Sequence, residues 1–289
     1  MKTLTERIKE LSRPLEPMPT GTQLDLHPID GIETVLFDIY GTLLISGSGD
    51  VGTAAATDSS EALTQALFIS GYDGDCECAG KIGPDLLKAE IRKWHADAKQ
   101  RGIEFPEVEI SRVWKNVVEN FQTLEILKPD DDPEKILRLA VEYECCVNPV
   151  WPMPGAVETI EFLNARGIRL GIVSNAQFYT PLIFEALLGK SVEKLGFDPE
   201  LCVWSYQALR AKPAVELFQT LETKIDPSKT LYVGNDMLND IWTATQVGCH
   251  SVLFAGDKRS LRLRETDDRC KDLRPTAVVD DLRQIMKMV

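Results

Sequence analysis

Three short apolar runs each end on residues that could do chemistry. Thr34-Val35-Leu36-Phe37 runs into Asp38, and Leu170-Gly171-Ile172-Val173 runs into Ser174-Asn175. Thr230-Leu231-Tyr232-Val233 runs through Gly234 into Asn235-Asp236, with Asp240 four residues further on. Lys212 stands before Pro213 at the start of a helical pattern and adds a positive charge. Carboxylates, a hydroxyl, an amide and an ammonium gathered in one crevice suit metal-assisted phosphoryl chemistry. A carboxylate can attack or hold a cation, and the donors offset charge that develops on phosphoryl oxygens. In an open parallel sheet such a crevice lies beyond the carboxyl ends of the strands, so the three runs must be neighbouring parallel strands.

The local patterns agree with that requirement. The runs are β-branched or aromatic and bounded by turn formers, as buried strands are, and a fourth, Ser251–Phe254, ends at Ala255-Gly256. Helical patterns lie between them at Gly155–Arg166 and Ala214–Thr223. Alternating strands and helices predict an α/β fold: a three-layer α/β/α, Rossmann-like core with a parallel sheet covered on both faces. The middle of the chain is different. Ser59–Ser70, Gly83–Arg101, Ser111–Phe121 and Pro133–Cys145 read as helices, with no convincing strand among them. The loop Ser46–Asp50 marks the exit from the first strand region, and Asn148-Pro149 and Trp151–Pro154 mark the return. The expected organisation is an N-terminal extension over 1–30, an α/β core over 31–49 and 149–289, and a helical insertion over 50–148. The charged stretch Lys258–Arg274 reads as a solvated helix or loop.

Bulk composition narrows the function classes. Of 289 residues, Lys and Arg number 32 against 45 Asp and Glu, a formal charge of -13. So acidic a surface repels phosphate backbones and anionic membranes, which excludes general nucleic-acid binding. A small, anionic substrate remains compatible, because a pocket can be locally positive or hold a metal. No apolar run approaches the roughly 20 residues that span a bilayer, and the first 21 residues lack the apolar centre of a signal peptide. Seven cysteines without a CxxC pair, and only three histidines, argue against a structural zinc site. An odd cysteine count without a secretion signal fits a cytoplasmic protein. Oligomeric state leaves no signal. His95 and His250 read as structural or surface residues. Trp94 and Trp114 read as helical core, with a place between insertion and core open to either.

The same residues carry a family resemblance. Phe37-Asp38-Ile39-Tyr40-Gly41-Thr42-Leu43, Val173-Ser174-Asn175, Lys212-Pro213 and Val233-Gly234-Asn235-Asp236-Met237-Leu238-Asn239-Asp240 resemble, in order, the four motifs of the haloacid dehalogenase-like superfamily. The likeness covers roughly Gly31–Ser46 and Val150–Val289, and the insertion resembles that superfamily's helical cap of the C1 type. The resemblance implies a hydrolase in which Asp38 is the nucleophile and Ser174 and Lys212 hold phosphoryl oxygens. It makes Thr42 and Asn175 supporting substrate contacts. It also implies Mg²⁺ among Asp38, the Tyr40 carbonyl and a motif-four group, with Asn235, Asp236 and Asp240 all open for that role. The expected substrate is a small phosphorylated metabolite.

Tyr40 departs from the phosphatase pattern, which has a second Asp there to protonate the leaving group and then activate water. A phenol is a poor base at neutral pH, and losing a general acid/base costs about 10²–10⁴ in rate. Tyr at this place is the pattern of the 2-haloacid dehalogenases, which displace halide without magnesium and use a cap arginine, for which Arg92 and Arg112 are candidates. A third alternative is a degenerate relative that binds a phosphorylated ligand or partner without turnover.

Overall fold

The computed structural model describes residues 2–48 and 56–289, so the expected boundary at 49/50 lies outside the described residues. Helix α1 (Leu4–Leu11) precedes strand β1 (Thr34–Phe37) and the short β2 (Leu44–Ser46). Four helices follow: α2 (Ala56–Ile69), α3 (Cys76–Gln100), α4 (Ile110–Thr123) and α5 (Pro133–Val147). Then come β3 (Val150–Pro152), α6 (Ala156–Ala165), β4 (Arg169–Ser174), α7 (Thr180–Leu188), β5 (Phe197–Trp204), β6 (Thr230–Gly234), β7 (His250–Phe254) and β8 (Ala277–Val279).

Six strands form one parallel sheet in the order β5-β4-β1-β6-β7-β8, while β2 and β3 pair antiparallel beside it. All of β1 is buried, because a central parallel strand is covered on both faces and must be apolar throughout. One face packs Phe37, Ile172 and Val233 with the residues of α6 and α7; the other packs Leu36, Val173 and Tyr232 against Leu217 and Phe218. The register pairs Phe37 with both Ile172 and Val233, so β1, β4 and β6 end level with one another. That alignment brings Asp38, Ser174 and Asn235 to the same edge of the sheet.

Helices α2–α5 bury their own cluster, which includes Leu63, Leu67, Trp114, Val117 and Phe121. They meet the sheet's carboxyl edge through specific bonds. Gln177 Nε2 donates to the Val108 carbonyl at 2.8 Å and its Oε1 accepts from Ile110 N at 2.9 Å. The segment before α4 is also stitched to the Lys212 loop by backbone bonds, Ala211 N to Phe105 O and Glu107 N to Leu209 O. Helix α1 bridges the two groups. Its Ile8 is fully buried against α5 and α7, and Arg7 makes a two-pronged bond to the buried Glu142 of α5, at 2.6 and 2.8 Å.

Several elements differ from the sequence-based expectation. Ala214–Thr223 forms only a single helical turn, Glu216–Gln219, flanked by turns. β5 escaped the periodicity reading because Pro199, Glu200 and a half-exposed face break the apolar run at the sheet's edge. β8 is three residues long. Lys258–Arg274 is a chain of turns rather than a helix, and it is not simply solvated, since Ser260 and Cys270 are buried.

Candidate active site

The site is assembled by three strand ends and the Lys212 loop. Asp38 N donates to the Val233 carbonyl at 2.9 Å, which fastens β1 to β6 at the point where β1 ends. Ser174 Oγ donates to Asp38 Oδ1 at 2.9 Å, and Lys212 Nζ donates to the same oxygen at 2.7 Å. Among the described residues no donor reaches Oδ2. Lys212 Nζ also donates to Asp240 Oδ1 at 2.5 Å and to the Tyr232 hydroxyl at 2.9 Å. Tyr232 in turn donates to the Val173 carbonyl at 2.7 Å.

The ammonium and both carboxylates are almost out of contact with water, with side-chain exposures of 3% for Lys212, 9% for Asp38 and 2% for Asp240. Burial alone lowers an ammonium's pKa, but here Asp240 and Asp38 outweigh it and hold Lys212 above its ordinary value. Burial pushes the Asp240 carboxyl up, against the pull of Lys212. Lys212 is thus a tight, desolvated bridge between Asp38 and Asp240.

The remaining expected residues have distinct jobs in the geometry. Asn175 grips the Lys212 backbone, its Oδ1 accepting from Lys212 N at 2.7 Å. Thr42 Oγ1 donates to Asn235 Oδ1 at 3.0 Å, and Asn235 Nδ2 donates to the Ser260 carbonyl at 2.6 Å. Asp236 caps the turn that follows it, accepting from Leu238 N and Asn239 N at 2.8 and 3.1 Å, and its carboxylate is clamped by Arg264. Asp240 Oδ2 accepts from Asp236 N at 2.9 Å. Gly234 has to be glycine, because a Cβ there would stand 2.3 Å from Asp240 Cγ. Gly41 is left-handed at φ +84°, and a Cβ there would stand 2.4 Å from Ser260 Cβ.

Tyr40 turns its hydroxyl to Thr180 Oγ1 at 2.8 Å. Burial, reinforced by the nearby Glu144 charge, holds the phenol far above its ordinary pKa, so it stays protonated at any physiological pH. Arg92 is exposed, Arg112 pairs with Glu109 at 2.6 Å, and neither lines the cavity above Asp38. That cavity, about 370 Å³, lies between the strand ends and helices α3–α5. It is bounded by Asp38, Tyr40, Lys212 and Asp240 below and by residues such as Ile91, His95 and Trp114 above.

Sequence reasoning missed Tyr232, Ser260, Arg264 and Gln177. Tyr232 lay inside an apolar run and Arg264 inside a charge-rich stretch, so neither carried a motif. Gln177, two residues past Asn175, had the one usable signal: an amide just beyond a strand end.

The donor chemistry can be compared with magnesium. Both oxygens of Asp236 and both of Asp240 are committed to protein donors, and no group of three His, Cys, Asp or Glu among the described residues could hold a metal. Among the described residues the oxygens that no protein donor reaches are Asp38 Oδ2 and the Tyr40 carbonyl, while Asn235 Oδ1 carries the Thr42 hydroxyl alone. Magnesium is often held by one or two carboxylates plus substrate phosphate and water, so this set fits it with a single carboxylate.

The sequence profile of the haloacid dehalogenase-like hydrolases matches residues 32–248, three quarters of the chain. The protein belongs to the haloacid dehalogenase-like hydrolase family. Curated relatives of this hydrolase include phosphatases. Glyceraldehyde 3-phosphate phosphatase of Methanothermobacter thermautotrophicus is 27% identical over 48% of this chain and 58% of its own length. Ribulose-1,5-bisphosphate 5-phosphatase of Halopiger xanaduensis is 28% identical over 47% of this chain and 56% of its own. Haloacid dehalogenase-like hydrolase domain-containing protein 3 of Xenopus laevis is 33% identical over 35% and 40%. The chain thus spans about half the length of the curated relatives it matches. Among solved structures, 2-haloacid dehalogenase from Pseudomonas syringae superposes with a TM-score of 0.56 at 22% identity, over 89% of this chain and 97% of that one, a likeness of fold. No helix among the described residues is long and apolar enough to cross a membrane.

Proposed function

We propose that this hydrolase is phosphatase-like, with Asp38 as the nucleophile and a small phosphorylated molecule as substrate. The observation that carries the reading is the asymmetry of Asp38: Ser174 and Lys212 both bond Oδ1, which orients the carboxylate and leaves Oδ2 with its lone pairs. Oδ2 attacks phosphorus, the bond to the leaving oxygen breaks, and an aspartyl phosphate forms. Water then attacks the same phosphorus, the bond to Asp38 breaks, and inorganic phosphate leaves. Ser174 and Lys212 stand beside the carboxylate where phosphoryl oxygens arrive, and their donors stabilise charge there. Thr42 steadies Asn235, and Asn175 fixes the loop that presents Lys212. Asp38, Asn235 and the Tyr40 carbonyl would hold magnesium, which would neutralise charge on the incoming phosphate. Helices α2–α5 serve as the cap over residues 50–148, covering a core of 31–49 and 149–289.

Tyr40 limits this chemistry. A phenol that stays neutral and bonded to Thr180 cannot serve as a base for water, so hydrolysis of the intermediate is the slow step. The same feature, with Asp236 and Asp240 both engaged by protein donors, favours a second reading: displacement of halide from a 2-haloacid, where the leaving group needs no proton.

One paired assay separates them. Phosphate release from an aryl phosphate and from acetyl phosphate is followed with magnesium and with chelator, and halide release from a 2-haloacid in parallel, with Asp38→Asn as control. Magnesium-dependent phosphate release, abolished by the substitution, is expected. Chelator-indifferent halide release would establish the dehalogenase instead, and silence in both arms would leave a binding role.

A further inference from the structure

The cavity's upper wall is unlike its floor. Along α3, Pro84, Leu87, Ile91 and His95 follow helical spacing and all line the cavity, with Trp114 from α4 and Val147 from α5 beside them. Five of these six are apolar. The sixth, His95, has a buried Nε2 with no hydrogen-bond partner in the protein. That nitrogen is closed off from the cavity as well as from solvent, so the wall meets a ligand through its apolar surface.

The charges around the wall also discriminate. Glu107 and Glu144 line the same cavity, and each is held by protein donors: Ser205 Oγ bonds Glu107 Oε2 at 2.9 Å, and Asn148 Nδ2 bonds Glu144 Oε1 at 3.2 Å. Burial pushes both carboxyls up, and neither offers a second phosphate a counter-charge. Of the cations other than Lys212, Lys88 is exposed and therefore a weak counter-charge. Arg262 is already turned to the Arg259 carbonyl at 2.7 Å.

We infer that the cavity selects substrates with a compact, uncharged and largely apolar body, an aryl or short alkyl phosphate. This rests on the phosphatase-like reading for the reacting group, while the body's selection rests on the wall alone. The two fit together. With no general acid at Tyr40, a phenolate leaves more readily than a sugar alkoxide. The volume, at the small end of ligand sites of roughly 300–1,000 Å³, suits one ring rather than a nucleotide.

The test uses the purified full chain and measures binding of non-hydrolysable phosphonates by calorimetry, so it does not depend on turnover. Methylphosphonate, benzylphosphonate, 4-hydroxybenzylphosphonate and a hexose bisphosphate are compared. Each methylene moved from water into an apolar cavity is worth roughly a fourfold gain in affinity, so benzylphosphonate is expected to bind at least tenfold more tightly than methylphosphonate. The bisphosphate is expected to bind weakest. Ile91→Ser should narrow the benzyl advantage and leave methylphosphonate binding unchanged. The 4-hydroxyl should bring no gain in affinity over benzylphosphonate, because the unpartnered His95 nitrogen is shut away from the cavity. Because the wild-type series alone ranks the bodies, a poorly folding variant does not remove the test. Bisphosphate binding as tightly as benzylphosphonate, or failure of benzylphosphonate to bind, overturns the inference. Benzyl preference without phosphate release from any ester keeps the inference and sinks the phosphatase-like reading. Phosphate release with sugar phosphates preferred does the reverse.

Discussion

Lys212→Met probes the electrostatics of the site, because methionine keeps much of the stem's packing while deleting the charge and the three hydrogen bonds of Nζ. Its ammonium lies 2.7 Å from Asp38 and 2.5 Å from Asp240, so the two carboxylate oxygens it joins are no more than roughly 5 Å apart. At an effective dielectric of about 20, two like charges at roughly that separation repel by about 3 kcal/mol. Removing one partner of a buried pair typically costs about 3–5 kcal/mol, which agrees. The variant should therefore lose about 3–5 kcal/mol in urea unfolding at pH 8, along with turnover. The loss should shrink on acidification. In the variant a buried carboxyl with a raised pKa holds a proton that the unfolded chain releases, so stability falls as pH rises through the folded pKa and recovers as pH falls. Adding Asp240→Asn should restore most of the stability, since one carboxylate alone no longer faces another. A loss under about 1 kcal/mol at pH 8, or the same loss at pH 5, would refute the idea that the ammonium holds two ionised carboxylates together.

Four further outcomes follow from the geometry. Gly234→Ala drives a methyl to 2.3 Å from Asp240 and should abolish activity at a cost of about 1–3 kcal/mol; retained kcat would show that Asp240 can move freely. Gln177→Leu removes two bonds between the core and the segment before α4; amide exchange at 106–112 should quicken, with about 1–3 kcal/mol lost, and unchanged protection there speaks against the tie. With a good leaving group, a burst of phenol equal to the enzyme concentration should precede a slow steady rate, because Tyr40 cannot activate water; a linear time course from the first turnover contradicts this. Stability should fall above pH 10. Lys212 is held above its ordinary 10.5, so its contribution is complete below that value and lost as pH rises through the folded one. Tyr40, Tyr179 and Tyr232, raised by burial above their ordinary 10.0, act in the same direction. A flat urea midpoint between pH 9 and 11 counts against it.

The sheet's centre was legible because its strands are short, unbroken apolar runs that stop abruptly at polar residues, a pattern that burial on both faces imposes. The same property identified Asp38, Ser174 and Asn235, which are simply the first groups past those ends. Edge strands lack that constraint. β5 carries Pro199 and exposed polar residues, and no strand pattern marks it in the sequence. The four insertion helices were legible from apolar spacing, each within a few residues except α3, which starts seven residues earlier than expected at Cys76. What one sequence could not reveal was partnership across distance. Asp236 read as a free carboxylate until Arg264, 28 residues on, was seen to hold it. His95 read as structural or surface, because nothing in a linear pattern says which face of α3 overlooks a cavity.

Helix α1 changes what hinge motion can mean here. The chain passes between sheet and helical layer twice, once on the way out after β2 and once on the way back at β3. A body joined only by two neighbouring strands of chain could swing widely. Ile8, packed between α5 and α7, and Arg7, bonded to Glu142, add to the Gln177 and Lys212-loop bonds a further tether made of side chains alone, and it can be undone without cutting the backbone. The contacts of Arg7 and Ile8 thus tie α1 to α5 and α7. A tag or fusion partner attached at the amino terminus would load that tether directly, and kinetics measured on such a protein would report the altered hinge along with the chemistry.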